Sequence, residues 1–162
     1  MSAEIETGTP VLPIPEGFKR IPAFSNDDFI AHNGPLYIRQ KLIDGVSSVQ
    51  VGFRVEQRHC NPMGICHGGM MATFCDMLLP LSIHRKAPEI GMRFLPTISL
   101  QLEYLAPSPL GAWVQGEADV LRVTRSMVFS QGLVRADGEL VVRLSGIFKI
   151  GKPFAPPEMG KA

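Results

Sequence analysis

The longest apolar stretch of the chain runs from Gly68 to Ile83, and its only formally charged residue is Asp76. Its length and composition predict a helix from Gly68 to about His84 that is apolar on all sides and therefore buried. An ionisable group inside such a helix must find partners or lose its charge. Asp76 is therefore the first candidate functional residue.

A period of two replaces this pattern in most of the remaining chain. Alternating apolar and polar positions predict half-buried strands, and a short N-capped helix is expected at 25–31. The predicted strands are Leu36–Ile43, Val49–Val55, Ile98–Tyr104, Trp113–Thr124, Met127–Ala136 and Leu140–Ile150. The turn pairs Asp44-Gly45 and Asp137-Gly138 predict hairpins. Five or six antiparallel strands and one substantial helix indicate an α+β domain whose sheet wraps around the helix.

The two ends of the chain differ in composition from this central part. Residues 1–24 are rich in proline and predict an extended arm, partly disordered or laid over a partner subunit. Residues 25–152 are expected to form a single domain. The tail, 153–162, carries prolines that cannot continue a central strand. The acidic N-terminus lacks the apolar core of a secretory signal.

Charge and cysteine content exclude several classes of function. A net charge of +1 implies no general attraction to nucleic acid or to an anionic membrane. Asp76 and Pro80 argue against a membrane-spanning helix. The odd number of cysteines, three, predicts a reducing, cytoplasmic compartment. His59, His67 and Asp76 lie close to these cysteines in the sequence and make zinc ligation conceivable, but no standard ligand spacing is present and no metal is predicted.

The polar segment before the long helix contains further candidate residues. Gly68 and Gly69 would leave backbone N–H groups accessible at a helix N-terminus, which suits a developing oxyanion. A glycine pair that serves only packing or a turn is an equally good interpretation. His67 could hold the loop or act in the site. Asn61 could form an Asx turn or orient a water molecule.

Helix geometry separates His67 from Asp76. Asp76 comes nine residues after His67, and nine helical steps turn through about 900°, which places the two side chains on opposite faces. If they cooperate, a two-fold dimer would bring His67 and Gly68 of one chain to Asp76 of the other. Pro80 lacks the N–H that would bond the Asp76 carbonyl, so the helix is expected to bend or loosen there.

Asn61, Gly64, the run His67-Gly68-Gly69 and Asp76 stand in a spacing that resembles the hotdog-fold acyl-CoA thioesterases of the phenylacetic-acid type. The strand Thr97–Tyr104, followed by Ala-Pro, also resembles that family. The likeness covers about residues 35–150. It implies the hotdog fold, in which an antiparallel sheet wraps a long central helix. It also implies a homodimer with two shared active sites, often paired into a homotetramer.

The resemblance further implies roles for individual residues. Asp76 would act as general base or nucleophile, the Gly68 N–H would polarise the thioester carbonyl, and Asn61 and His67 would orient the reacting groups. Thr97 falls where the family has a hydroxyl residue. The substrate would be an acyl-CoA, and no metal or redox cofactor is implied. Gly69 is expected to contact the substrate, and Arg125, in a strand-to-strand turn, to meet the coenzyme A phosphates.

Two other functions stay open on the sequence alone. A hotdog dehydratase or hydratase would use a different motif context, which the sequence does not match. A hotdog domain that only binds acyl-CoA would have no reason to keep Asp76. The acyl group is undetermined, because the stripe Met70, Met71, Phe74, Met77 and Leu78 could line a pocket but fits an ordinary core equally well.

Overall fold

The computed structural model describes residues 12–23, 25–43 and 45–155. Its helices are α1 (Phe29–Asn33) and α2 (Gly68–Lys86), with short 3-10 turns at Gln57–His59 and Pro88–Ile90. Its strands are β1 (Lys19–Arg20), β2 (Tyr37–Ile43), β3 (Val46–Arg54), β4 (Thr97–Tyr104), β5 (Trp113–Val123), β6 (Met127–Ala136) and β7 (Glu139–Lys149). The predicted long helix and six main strands are confirmed, and the two-residue β1 is an addition.

All seven strands belong to one antiparallel sheet, in the order β1-β2-β3-β5-β6-β7-β4. The strands of each hairpin are neighbours in the sheet, as the turn residues predict. β4 follows α2 in the chain but lies at the far edge, where it pairs with β7. Within the described part of the chain the second edge of β4 has no strand beside it, so this edge is open to pairing.

α2 packs across the concave surface of this sheet. Its sheet face consists of buried side chains: Met70, Met71, Phe74, Cys75, Leu78, Leu79, Ser82 and Ile83. Close approach requires glycine in the strands beneath. A Cβ on Gly116 would lie 2.4 Å from Leu78, and one on Gly146 would lie 2.6 Å from Leu79. The apolar contacts of this face are those of an ordinary core.

The opposite side of α2 does not match the prediction of a helix buried all round. Its outward face is formed by half-exposed residues: Thr73, Asp76, Met77, Pro80, Leu81 and His84. Four of the five residues of the stripe considered as a pocket lining belong to the buried core, and only Met77 lies on the outward face. The helix continues through Pro80 to Lys86. The sequence-based expectation of complete burial is therefore wrong for the single chain.

The described part of the proline-rich arm lies on its own sheet, on the surface away from α2. The Phe18 ring packs edge-on against Trp113 with centroids 4.9 Å apart, and the Arg39 guanidinium lies 4.5 Å over the Phe18 ring. The Glu16 carbonyl accepts a hydrogen bond from Arg39 at 3.0 Å. These arm residues therefore pack on their own chain, and their placement does not depend on a partner subunit. The remaining arm residues, 1–11 and Phe24, and the tail beyond 155 lie outside the described residues.

The first helix begins later than predicted. The Asp28 side chain accepts a hydrogen bond from the Ala31 amide at 2.8 Å and is the N-cap, so α1 starts at Phe29. Ser25 instead donates its own backbone N–H to Asp28 at 2.9 Å. Two possible capping residues in one short segment make such a boundary ambiguous in sequence.

Candidate active site

Asn61 organises the loop that leads into α2. Its side-chain oxygen accepts hydrogen bonds from the backbone amides of Met63 at 3.0 Å and Ile65 at 3.4 Å. The backbone N–H of Asn61 in turn donates to the Ile65 carbonyl at 2.9 Å. Asn61 is thus an Asx-turn residue that fixes its own loop. The side-chain NH₂ has no acceptor among the described residues and is available to a ligand.

His67 is the N-cap of α2. Its Nδ1 accepts a hydrogen bond from the Gly69 amide at 2.8 Å, and its backbone is extended, with φ −61° and ψ 137°. An Nδ1 that accepts leaves the ring proton on Nε2, the other nitrogen of the ring. The Gly69 N–H is therefore used within the chain, so only one of the two predicted glycine amides is free.

That free donor is the Gly68 N–H. It occupies the first helical position, where no carbonyl of the same helix can reach it. No described residue accepts a hydrogen bond from it. The Gly68 carbonyl, by contrast, accepts a hydrogen bond from the Tyr104 hydroxyl at 2.7 Å. An unpaired N–H at the positive end of a helix dipole is suited to bind a negative oxygen.

Asp76 meets Thr97 where the middle of α2 faces the start of β4. The Thr97 hydroxyl donates to Asp76 Oδ1 at 2.6 Å, and Oδ2 has no partner within the described part of the chain. Asp76 is half-exposed on the outward face of α2, and Thr97 is exposed. The expectation of a fully buried carboxylate is therefore wrong for the single chain. One oxygen is held and the other is open, an arrangement that suits a general base or a nucleophile.

Residues 63–142 match the family described as the thioesterase superfamily, and this range includes the glycine pair, Asp76 and Thr97. The chain belongs to the thioesterase superfamily. The antiparallel sheet wrapped around one long helix gives this member the hotdog fold. The predicted family, fold and general class of enzyme, a thioester hydrolase, are thereby confirmed.

Two relatives illustrate how far the likeness in sequence extends. The Pseudomonas aeruginosa protein PA0474, which carries an esterase name, is 27% identical over 139 residues, covering 85% of this chain and 97% of its own. Human acyl-coenzyme A thioesterase 13 is 26% identical over 95 residues, covering 56% of this chain and 64% of its own.

Solved structures show the same fold. Zebrafish thioesterase superfamily member 2 superposes with a TM-score of 0.66 at 20% identity, covering 77% of this chain and 88% of its own. The BH2602 protein of Bacillus halodurans, solved with CoA, has a TM-score of 0.60 at 23% identity, covering 72% of this chain and 75% of its own. PaaI, a phenylacetic acid degradation protein of Thermus thermophilus, gives 0.55 at 22% identity, with coverages of 75% and 96%.

In this thioesterase-superfamily chain Arg125 lies at the same end of the sheet as Thr97. It occupies the exposed turn between β5 and β6. The register places Thr97 beside Phe148, and Phe148 beside Val128 at the start of β6. The Arg125 side chain makes no ion pair with any described residue. It is therefore free to meet an anionic ligand near the start of β4.

Two of the three cysteines, Cys66 and Cys75, are unsuited to act as nucleophiles in this region. All three are free thiols. Burial raises the pKa of Cys66 to about 12 and also raises the pKa of Cys75, so both stay protonated at neutral pH. A protonated thiol is a poor nucleophile and a poor metal ligand. Among the described residues no group of three or more His, Cys, Asp or Glu is placed to hold a metal.

Two residues near the site have roles that the sequence did not predict. His59 is buried, accepts a hydrogen bond at Nδ1 from the Glu56 amide at 3.0 Å, and receives the His67 amide on its carbonyl at 2.8 Å. Burial lowers the pKa of His59, so it is a neutral structural support of the loop. In the sequence Tyr104 stands out only as the last residue of a predicted strand. Nothing in the sequence shows that its hydroxyl reaches Gly68, which lies far away along the chain.

No helix in the described ranges is long and apolar enough to cross a membrane.

Proposed function

We propose that the protein hydrolyses acyl-CoA thioesters to a carboxylic acid and free coenzyme A. The 2.6 Å hydrogen bond between Thr97 and Asp76 carries this proposal, because it leaves one carboxylate oxygen free on the outward face of the helix. The acyl-CoA substrate is supported by the human relative named as an acyl-coenzyme A thioesterase and by the Bacillus protein solved with CoA.

Asp76 Oδ2 takes a proton from a water molecule, and the water oxygen attacks the thioester carbonyl carbon. Negative charge then develops on the carbonyl oxygen, where the Gly68 N–H donates to it. The C–S bond breaks, and the sulfur leaves with the proton as free thiol. Direct attack by Asp76 on the carbonyl carbon is the alternative route: the C–S bond breaks, the thiolate leaves and a mixed anhydride forms, which a later water hydrolyses to the acid and free Asp76. The Asn61 NH₂ and His67 Nε2 orient the water or the thioester.

Helix geometry supports a site built by two chains. Gly68 and Asp76 are eight residues apart in α2, so about 12 Å of helix axis separates them. A base and an oxyanion donor must each lie about 3 Å from adjacent atoms of one carbonyl group. One chain therefore supplies Asn61, His67 and Gly68, and a second supplies Asp76 and Thr97.

A two-fold homodimer fits the surfaces that a single chain leaves incomplete. The outward face of α2 is half-exposed and includes Met77 and Leu81, and the neighbouring edge of β4 is unpaired in the described chain. Pairing two β4 edges would continue the sheet across the axis and bring the two outward faces together. Each dimer then holds two equivalent sites. Pairing of dimers into a tetramer stays a prediction.

The coenzyme A phosphates would bind at the sheet end that carries Arg125. Lys149, paired with Met127, and Lys152, whose carbonyl accepts from the Phe94 amide, bring further exposed positive charge to that end. Several positive charges at one end of the sheet suit a phosphate group better than any single exposed arginine.

The decisive experiment measures thiol release from a panel of acyl-CoAs by the wild type and by Asp76→Asn. We expect turnover to fall at least about a hundredfold, as for removal of a general base. Asp119→Asn is the matched control, because Asp119 is an exposed carboxylate of β5 paired with Lys86. Wild-type protein that binds acyl-CoA but releases no thiol would identify a binding module and defeat the proposal. Full activity in Asp76→Asn would contradict the proposed role of Asp76 as the base or nucleophile.

The oxyanion donor is tested by Gly68→Pro against Gly68→Ala. Proline is well tolerated at the first helical position, and His67 already has the extended backbone that a following proline requires. A Cβ at Gly68 would make only ordinary contacts, at 3.5 Å or more, with Tyr104. We expect turnover to fall about 100- to 1000-fold in Gly68→Pro. Gly68→Ala keeps the N–H and should retain most activity; equal losses in both variants would contradict the role.

A further inference from the structure

Tyr104 is the last residue of β4, and its ring lies against the first turn of α2. Its hydroxyl donates to the Gly68 carbonyl at 2.7 Å. A Cβ built on Gly68 would lie 3.5 to 3.7 Å from the Tyr104 hydroxyl and ring, so the two residues are in direct contact. The side chain is nevertheless 53% exposed in the single chain, so burial of the ring does not by itself explain a tyrosine here.

The hydrogen bonds around Gly68 satisfy three of the four polar groups on its two flanking peptide units. After Gly68, the carbonyl is held by Tyr104 and the Gly69 N–H is held by His67 Nδ1 at 2.8 Å. Before Gly68, the His67 carbonyl accepts from the Met71 amide at 3.1 Å. The fourth group is the Gly68 N–H, which has no acceptor among the described residues.

This arrangement compensates for the weakness of a glycine pair at a helix end. Gly68 and Gly69 have the largest backbone freedom of any residues, and helix ends fray. A donor contributes to catalysis only when it is already aimed at the place where the oxyanion will develop. The helix supplies its own bond to the peptide unit before Gly68. The carbonyl of the unit after it starts the regular bonding of α2, and Tyr104 adds a second donor to it from β4.

We propose that Tyr104 is a positioning residue that fixes the direction of the Gly68 N–H toward the oxyanion. The inference rests on the proposed thioesterase mechanism and adds a residue to it. Tyr104 reaches the substrate only through Gly68. Partial burial raises the pKa of Tyr104. The phenol therefore stays protonated as a donor at neutral and mildly alkaline pH.

The test compares Tyr104→Phe with Tyr37→Phe. The first change removes the hydroxyl and keeps the ring. Tyr37 packs its ring 5.7 Å from Trp113, and no described residue bonds its hydroxyl, so it is a matched control. We expect kcat of Tyr104→Phe to fall about tenfold with KM unchanged, less than for outright loss of the donor. The thermal midpoint of Tyr104→Phe should match that of the wild type. The kinetic constants of Tyr37→Phe should also match those of the wild type.

A second measurement separates positioning from simple anchoring of the helix. In a Gly68→Pro background there is no N–H to aim, so adding Tyr104→Phe should cost no further activity. An unchanged kcat in the single variant, or a full additional tenfold loss in the double variant, would overturn the inference. Failure of the underlying proposal is visible separately, because it would leave Asp76→Asn fully active or the wild type without thioesterase activity.

Discussion

The sheet face and the outward face of α2 are built from different residues and are completed by different surfaces. The sheet face is apolar and fully covered by strands of the same chain, with Leu78 and Leu79 seated over Gly116 and Gly146. The outward face carries Asp76 and remains half-exposed. One face therefore explains why the chain folds. In the proposed dimer the other face is completed by a second chain and the substrate.

Shortening one side chain on each face of α2 should separate the contribution of the sheet face to folding from that of the outward face to function. Leu78 is fully buried, so Leu78→Ala should lower the free energy of unfolding by about 2–5 kcal/mol through lost burial and a cavity. Its kcat per folded molecule should stay near the wild-type value. Met77→Ala, one residue away on the outward face, should cost far less in urea unfolding and instead weaken assembly or raise KM. Similar unfolding curves for the two variants would contradict the conclusion that the two faces of α2 contribute differently to stability.

Removal of the Thr97 hydroxyl tests how the outward face prepares its carboxylate. Thr97→Val keeps the shape of the side chain and deletes the donor to Asp76 Oδ1. Since one hydrogen bond to a charged group is lost but the carboxylate remains, we expect kcat to fall about tenfold. Thr97→Ser should restore most of the loss. Denaturation midpoints should hardly change, because Thr97 is exposed; a large loss of stability would make Thr97 a folding residue.

Arg125 is the residue proposed to bind the coenzyme A phosphates at the end of the sheet. Arg125→Gln should raise KM for acyl-CoA by about three- to tenfold, with a weaker effect at high salt, because an exposed charge contributes through screened attraction. Arg20→Gln is the control, since Arg20 is an exposed arginine at the opposite edge. A short acyl thioester without the nucleotide should be hydrolysed equally by all three proteins. If Arg125→Gln slows both substrates alike, Arg125 does not bind the phosphates.

Hydrophobic periodicity predicted the sheet face well, because its pattern reflects contacts within one chain. The strands, the hairpins and the span of α2 all follow from it. The outward face was misjudged, since an apolar helix looks the same in sequence whether its second side meets its own sheet or another surface. The cap made by His67, the bond from Thr97 to Asp76 and the contact of Tyr104 with Gly68 depend on three-dimensional placement. Only the family resemblance indicated Thr97, and nothing indicated the role of Tyr104.

The central claim is that each site takes its oxyanion donor from one chain and its base from another. It is tested most directly by mixing the inactive variants Asp76→Asn and Gly68→Pro, then unfolding and refolding them together. In a mixed dimer one site has both Gly68 and Asp76 intact, while the other has lost both. Random pairing should therefore restore about a quarter of wild-type thiol release. Activity that stays at the level of the separate variants would contradict the shared site.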